Sequence, residues 1–145
     1  MSSPMDPDEP ERQPAVASGP GGTTIVDWPL RAQSALVDWF GPGVVAGIFQ
    51  GTGVYWVLAL AALIWAFYNA WLSGETGQSY GRRWAGTRLV RESDGAVIGG
   101  PMGLIRHIAH AVDAVICFVG FLFPLWDYRR QTIADKIMST VVIRA

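Results

Sequence analysis

Two stretches of this chain place charge among apolar residues. In "RAQSALVD", Arg31 and Asp38 stand seven positions apart, and in "RHIAHAVD", Arg106, His110 and Asp113 stand at i, i+4 and i+7. On a helix both spacings return to one face, with Arg31 and Asp38 about 10.5 Å apart along the axis, aligned but out of easy contact. Carboxylates beside a histidine and arginines are groups that can relay a proton or a cation, the arginine tuning the carboxylate. The same groups, paired, can instead specify how helices pack. His107 and His110 with two aspartates fit no metal-ligand spacing, so no metal is expected. Neither a Ser-His-Asp set nor a phosphate loop flanked by strand and helix stands at usable spacing, so no enzyme and no cofactor are expected.

The elements that must position these charges are mostly apolar. Of 145 residues half are hydrophobic and only 16% charged, with seven Trp and six Phe. A net charge of −1 gives no reason to expect nucleic acid. Residues 54–72, "VYWVLALAALIWAFYNAWL", carry one strongly polar side chain, Asn69. As a helix they extend about 28 Å, close to the thickness of a bilayer core. Tyr55, Trp56, Tyr68 and Trp71 stand near the ends, as an aromatic belt would place them. A domain this small has too little other chain to bury such a helix, so a transmembrane segment is predicted. Residues 30–50 form a second candidate, joined to it by "GTG" and interrupted by Gly41-Pro42-Gly43, where a kink is expected. Residues 108–126 form a third apolar stretch. Residues 1–28, rich in Pro, Gly and acid, read as a disordered tail ahead of a domain over 29–145. No secretory signal is expected, since the tail is acidic where a signal peptide starts basic. Cys117, in an apolar run, reads as a small buried hydrophobe.

Orientation follows from Lys and Arg alone. The link between the first two helices has none, whereas residues 73–107 hold Arg82, Arg83, Arg88, Arg91 and Arg106. This connector and the N-terminal tail are therefore expected in the cytoplasm. Arg82, Arg83, Arg129 and Arg130 are candidate anchors to lipid headgroups or to topology. A full third crossing would carry Arg129, Arg130, Lys136 and Arg144 outside. It would also separate the strand-like runs "AGTRLV" and "MSTVVI", which share a pattern and could pair. A third segment that bends back is slightly preferred to a plain crossing. The fold class predicted is an all-α membrane protein: a small transmembrane helical bundle of two firm helices and a third apolar segment, re-entrant or fully crossing, with short strand-like cytoplasmic segments.

Arg31 near a helix start can snorkel to the headgroups. Asp38 is too short to do so, and a central Asp costs roughly 2.5 to 3.5 kcal/mol, so a bundle-facing position with a partner is expected.

Taken together, Arg31 and Asp38 in the first helix, "SYGRRWAGTRLV", "LIRHIAHAVDAV" and "RRQTIADKIMSTVVI" resemble the RDD family of bacterial membrane proteins, named for one arginine and two aspartates. The resemblance runs from about residue 29 to 145. It implies that Arg31 and Asp38 are the family's Arg and first Asp, and that the second is Asp135, with Asp113 the alternative. This chain departs from the family in its short first link and in Gly41-Pro42-Gly43. Transport of unidentified ligands, ions among them, has been proposed for the family.

Two functions remain. One is a component of ion or small-solute transport through Arg31, Asp38, Arg106, His110, Asp113 and Asp135, acting as a homo-oligomer because so few helices cannot enclose a pore. The alternative is a structural or regulatory membrane module that binds protein or lipid partners without transport.

Overall fold

The computed structural model describes residues 18–115 and 119–145, so Cys117 and most of the tail lie outside the described residues. The first helical run is α1 (Trp28–Ala35), a π turn (Leu36–Phe40) and α2 (Gly41–Ile48). Pro42 has no N–H to bond one turn back, and its ring crowds the carbonyl there. The chain meets this by widening: the Gly41 N–H bonds Leu36 O, five residues back, and helical backbone angles persist on both sides. The break expected at Gly41-Pro42-Gly43 is thus taken up as a π turn just ahead of it, and Asp38 lies within that turn.

After a short link α3 spans Gly53–Thr76, among the described residues the one helix long and apolar enough to cross a membrane. Gly77, in the left-handed region at φ 76°, ends it. Then come α4 (Tyr80–Trp84) and β1 (Thr87–Arg91). The next helix, α5 (Gly100–Val115), starts eight residues ahead of the expected 108, because Glu75 Oε1 accepts the Gly100 N–H at 2.7 Å and so caps it from α3. Residues 119–126 form α6 (Val119–Leu122) and a 3-10 turn (Phe123–Leu125) in place of a continuous helix to 126. Two short elements close the chain, α7 (Ile133–Met138) and β2 (Thr140–Arg144).

The two strand-like runs pair. β1 and β2 are antiparallel, with Thr87 opposite Arg144 and Arg91 opposite Thr140. Residues from the stretch assigned to the tail join them: Val26 N donates to Val142 O at 3.0 Å, and Ile25 bridges Ile143. Val26, Leu89 and Val142 form an apolar core beneath Leu30 and Ile98, while Val90, Val141 and Ile143 pack together.

Pairing β2 with β1 brings the chain back to the end of α3 from which it left. Trp28 Nε1, at the start of α1, donates to Phe121 O at 2.9 Å. Gly120 packs so closely on Asp113 that a Cβ there would overlap its carboxylate. Close approach also fixes α3 against α5: a Cβ on Gly103 would strike Ala70 O and the Gly74 backbone.

The surface is inverted relative to a water-soluble domain. Ile48, Trp56, Val57, Leu60 and Ile64 are exposed, while Asp38, Asn69, Arg106, His110, Asp113 and Asp135 are buried.

Candidate functional site

The most heavily bonded buried group is a single carboxylate. Asp135 lies in the first turn of α7, where Thr132 is the cap: Thr132 Oγ1 accepts the Asp135 N–H at 3.1 Å, and Asp135 Oδ2 accepts the Thr132 N–H at 3.2 Å. With that turn fixed, the carboxylate points at two helices far away in sequence. Arg31 Nη1 of α1 donates to Oδ2 at 2.6 Å. Arg106 of α5 donates to Oδ1 through Nε at 3.0 Å and Nη2 at 2.5 Å, and Thr140 Oγ1 adds a bond at 3.1 Å. Asp135 is fully buried. Burial works to raise its pKa, but Arg106 and Arg31 together outweigh burial and hold it well below the usual carboxylate range.

A second aspartate performs a different task. Asp38 Oδ2 accepts the Ser79 hydroxyl, and its Oδ1 accepts the Gly81 N–H at 2.8 Å. From α3, Asn69 Oδ1 accepts the Tyr80 N–H at 3.0 Å, and Ser79 Oγ accepts the Arg82 N–H at 3.3 Å. The first-turn N–H groups of α4, which a helix cannot satisfy itself, are thus bonded by side chains of the π turn, of α3 and of the capping Ser79. Gly81 is needed for this approach, since a Cβ would overlap Ser34 O and the Asp38 carboxylate.

The third group is the pair His110 and Asp113, joined Nδ1 to Oδ2 at 2.7 Å inside an aromatic cage. His110 stacks on Phe121 at 5.4 Å between centroids and meets the edge of Trp39 at 5.7 Å. Asp113 Oδ1 is buried and has no hydrogen-bond partner among the described residues.

Arg106, His110 and Asp113 therefore do share one buried face of α5, while Arg31 and Asp38 face different partners. Arg31 turns inward to Asp135, with only 11% of its side chain exposed, instead of reaching out to the surface. The four anchor candidates divide. Arg82 Nη1 donates to Ser73 Oγ at 2.5 Å, and Arg83 lies exposed with its guanidinium 5.7 Å from the Tyr80 ring centre. Arg129 pairs with Glu92, and Arg130 with Asp27. Some of Arg82 remains open, yet its Nε is enclosed. Burial, reinforced by the Arg106 charge and opposed by Asp38, pushes its pKa down to about 9.

The arrangement as a whole is a charge-compensated clamp in which an aspartate near the C-terminus fastens two arginine-bearing helices. The sequence profile of the RDD family matches residues 26–139. The chain belongs to the RDD family. Of the two choices for the second aspartate of this RDD protein, Asp135 is the one that Arg31 touches. Similar curated proteins are the Proline-rich antigen homolog of Mycobacterium tuberculosis, 46% identical over 94 residues, and the Proline-rich antigen of Mycobacterium leprae, 48% identical over 88. Those matches cover 64% and 61% of this chain but 39% and 34% of the relatives, so the chain spans well under half their length. No solved structure matches the chain significantly.

Ser79, Gly81, Asn69, Ser73, Thr132 and Thr140 complete the site, and the spacing of charges along the sequence does not single them out. Two of them carry a signal of their own. Ser79 precedes a helical "YGRRW", and Thr132 stands three residues before Asp135, the spacing of a capping pair.

Proposed function

We propose that this RDD protein is a multi-pass module of the bacterial inner membrane whose buried Arg and Asp residues lock a cytoplasmic cap onto the helices, so that the cap can be presented to a protein or lipid partner. The cap is α4, β1, α7 and β2. The observation that carries the reading is the saturation of Asp135 by Arg31, Arg106, Thr132 and Thr140. A carboxylate held by two arginines is costly to protonate and poorly suited to passing a proton on. The inverted surface supports the membrane assignment, because exposed apolar belts of this extent do not suit water.

A second reading, a transport component acting as an oligomer, is favoured by one feature, the buried His110–Asp113 pair, whose second carboxylate oxygen has no hydrogen-bond partner among the described residues. Reconstitution into liposomes loaded with a pH-sensitive dye, under proton, Na+ and K+ gradients, separates the two. The locked module gives no flux above protein-free liposomes. Flux that disappears in Asp113→Asn would establish transport instead. Sidedness is tested by a single cysteine at Ser139 in a Cys117-free background. It stays closed to impermeant maleimide in whole cells if the cap is cytoplasmic, and labelling from outside refutes that placement.

A further inference from the structure

Between α2 and α3 runs an apolar groove of about 360 Å³, lined by Pro42 and Val45 on one side and by Leu58, Ala61, Ala62 and Trp65 on the other. Val45 and Ala61 are exposed, so the groove opens outward. Trp65 carries it toward the cap: its ring stacks on Tyr80 of α4, with centroids 5.1 Å apart and planes within 18°. Tyr68 flanks Tyr80 at 6.4 Å, and the Arg83 guanidinium lies 5.7 Å from the Tyr80 ring centre. Groove, Trp65, Tyr80 and Arg83 thus form one continuous track.

The helix α3 measures that track. Tyr80 N donates to Asn69 Oδ1 at 3.0 Å, which fixes the cap end at the level of Asn69. Leu58 lies eleven residues earlier, about 16 Å along the axis, close to half of a hydrocarbon core roughly 30 Å thick. One lipid tail has that reach. The lining residues carry no charge, whereas residues 76–91 hold four arginines and no acid. Arg83 is exposed, with no carboxylate partner among the described residues. Such a cation can meet headgroup phosphates while its stem covers apolar surface. In a bilayer tails are as apolar as the groove, so the groove alone selects weakly and the cation supplies the preference.

We propose that this track holds one anionic phospholipid of the cytoplasmic leaflet, a tail in the groove and the phosphate against Arg83. The site rests on the membrane-module reading for the bilayer around α3, and it names that module's lipid partner. The full chain in non-ionic detergent is followed by native mass spectrometry against phosphatidylglycerol, phosphatidylcholine and tail-less glycerol phosphate. One phosphatidylglycerol per chain should be retained, about tenfold more tightly than phosphatidylcholine, and glycerol phosphate should not be retained. Arg83→Gln should bring phosphatidylglycerol down to the phosphatidylcholine level. Ala61→Phe fills the groove from its open side and should weaken both lipids about tenfold. Arg91→Gln removes the same charge from an exposed pair with Asp94 at the far end of β1, and should bind as the parent does. Near-UV circular dichroism shows which variants keep their packing, and either folded variant suffices. The proposal is overturned if no lipid is retained, or if phosphatidylcholine or glycerol phosphate binds as tightly as phosphatidylglycerol. It is equally overturned if a folded Arg83 or Ala61 variant binds as the parent does, or if Arg91→Gln weakens binding as much as Arg83→Gln. A lipid-free dimer in the same spectra would seat a second copy in the groove and defeat it too. Outside labelling of the cysteine at Ser139 would remove the cytoplasmic placement of the cap, whereas absent retention in a chain closed there removes this site alone.

Discussion

Replacing Asp135 by Asn is the sharpest test of the clamp. Asn has the same shape and can still accept the Thr132 N–H through its one oxygen, which preserves the helix cap. Its amide nitrogen must then face Arg106, so a donor meets two donors at 2.5 and 3.0 Å, and both arginines lose their counter-charge. Removing one partner of a buried ion pair typically costs about 3 to 5 kcal/mol. Two cations share this carboxylate, which points to the upper end of that range. At about 2–4 °C per kcal/mol for a chain of this size, the melting temperature in detergent should fall by about 10 °C or more. The seven tryptophans make intrinsic fluorescence a suitable probe. Asp94→Asn serves as the control, since Asp94 and its partner Arg91 are both exposed, and it should melt as the parent does. A fall below about 3 °C in Asp135→Asn, corresponding to only about 1 kcal/mol, would refute the clamp as a structural device.

The same carboxylate sets a pH dependence. Its folded pKa lies below that of the unfolded chain, which is about 3.9. Its contribution is therefore fully present above that value and is lost as the pH falls from there toward the folded pKa. The gap in melting temperature between parent and Asp135→Asn should be constant from pH 7 to about 5 and narrow below pH 4. A gap that widened on acidification would reverse the sign and defeat the argument.

Other consequences follow from close approaches and caps. Gly103→Leu must push α3 and α5 apart and should cost about 1–3 kcal/mol or more in detergent melts, whereas Gly53→Ala, where a Cβ meets nothing within 4 Å, should be neutral. Gly81→Ala displaces α4 from Asp38, so trypsin should cut after Arg82 or Arg83 faster than in the parent. Thr132→Ala removes the hydroxyl that accepts the Asp135 N–H, and unfolding should show a loss of about 1 kcal/mol.

Which features were legible in the sequence depends on range. The apolar run of α3 announces itself because its whole length lies in one continuous stretch. The strands of "GTRLV" and "STVVI" pair as their shared pattern suggests. Periodicity also finds the common face of Arg106, His110 and Asp113. It cannot name partners. Arg31 and Asp135 lie 104 positions apart, and nothing local to either marks the other. Ile25 and Val26 were hidden for a related reason: a polar, Gly-rich neighbourhood conceals two aliphatic residues that enter the sheet and its core only because β2 is there to receive them. The π turn is a response to Pro42, whose effect on the carbonyl one turn back is predictable as a disturbance but not as a particular widening.

Arg31 and Asp38 stand seven residues apart on one helical run, and that spacing suggests a single polar network. The structure divides the labour. Arg31 fastens the last quarter of the chain through Asp135, and Asp38 fastens the connector through Ser79 and Gly81. Neither charge is satisfied within its own helix, so the helix is complete only when both the connector and the C-terminal element have docked. Buried charges that pair across elements add little net stability compared with apolar packing, but they strongly penalise every arrangement in which a partner is missing. That asymmetry explains why a chain so short of charge places Asp38, Arg106 and Asp135 inside. Apolar faces would let these helices slide against one another in lipid at small cost, whereas an unpaired Asp38 or Arg31 would not.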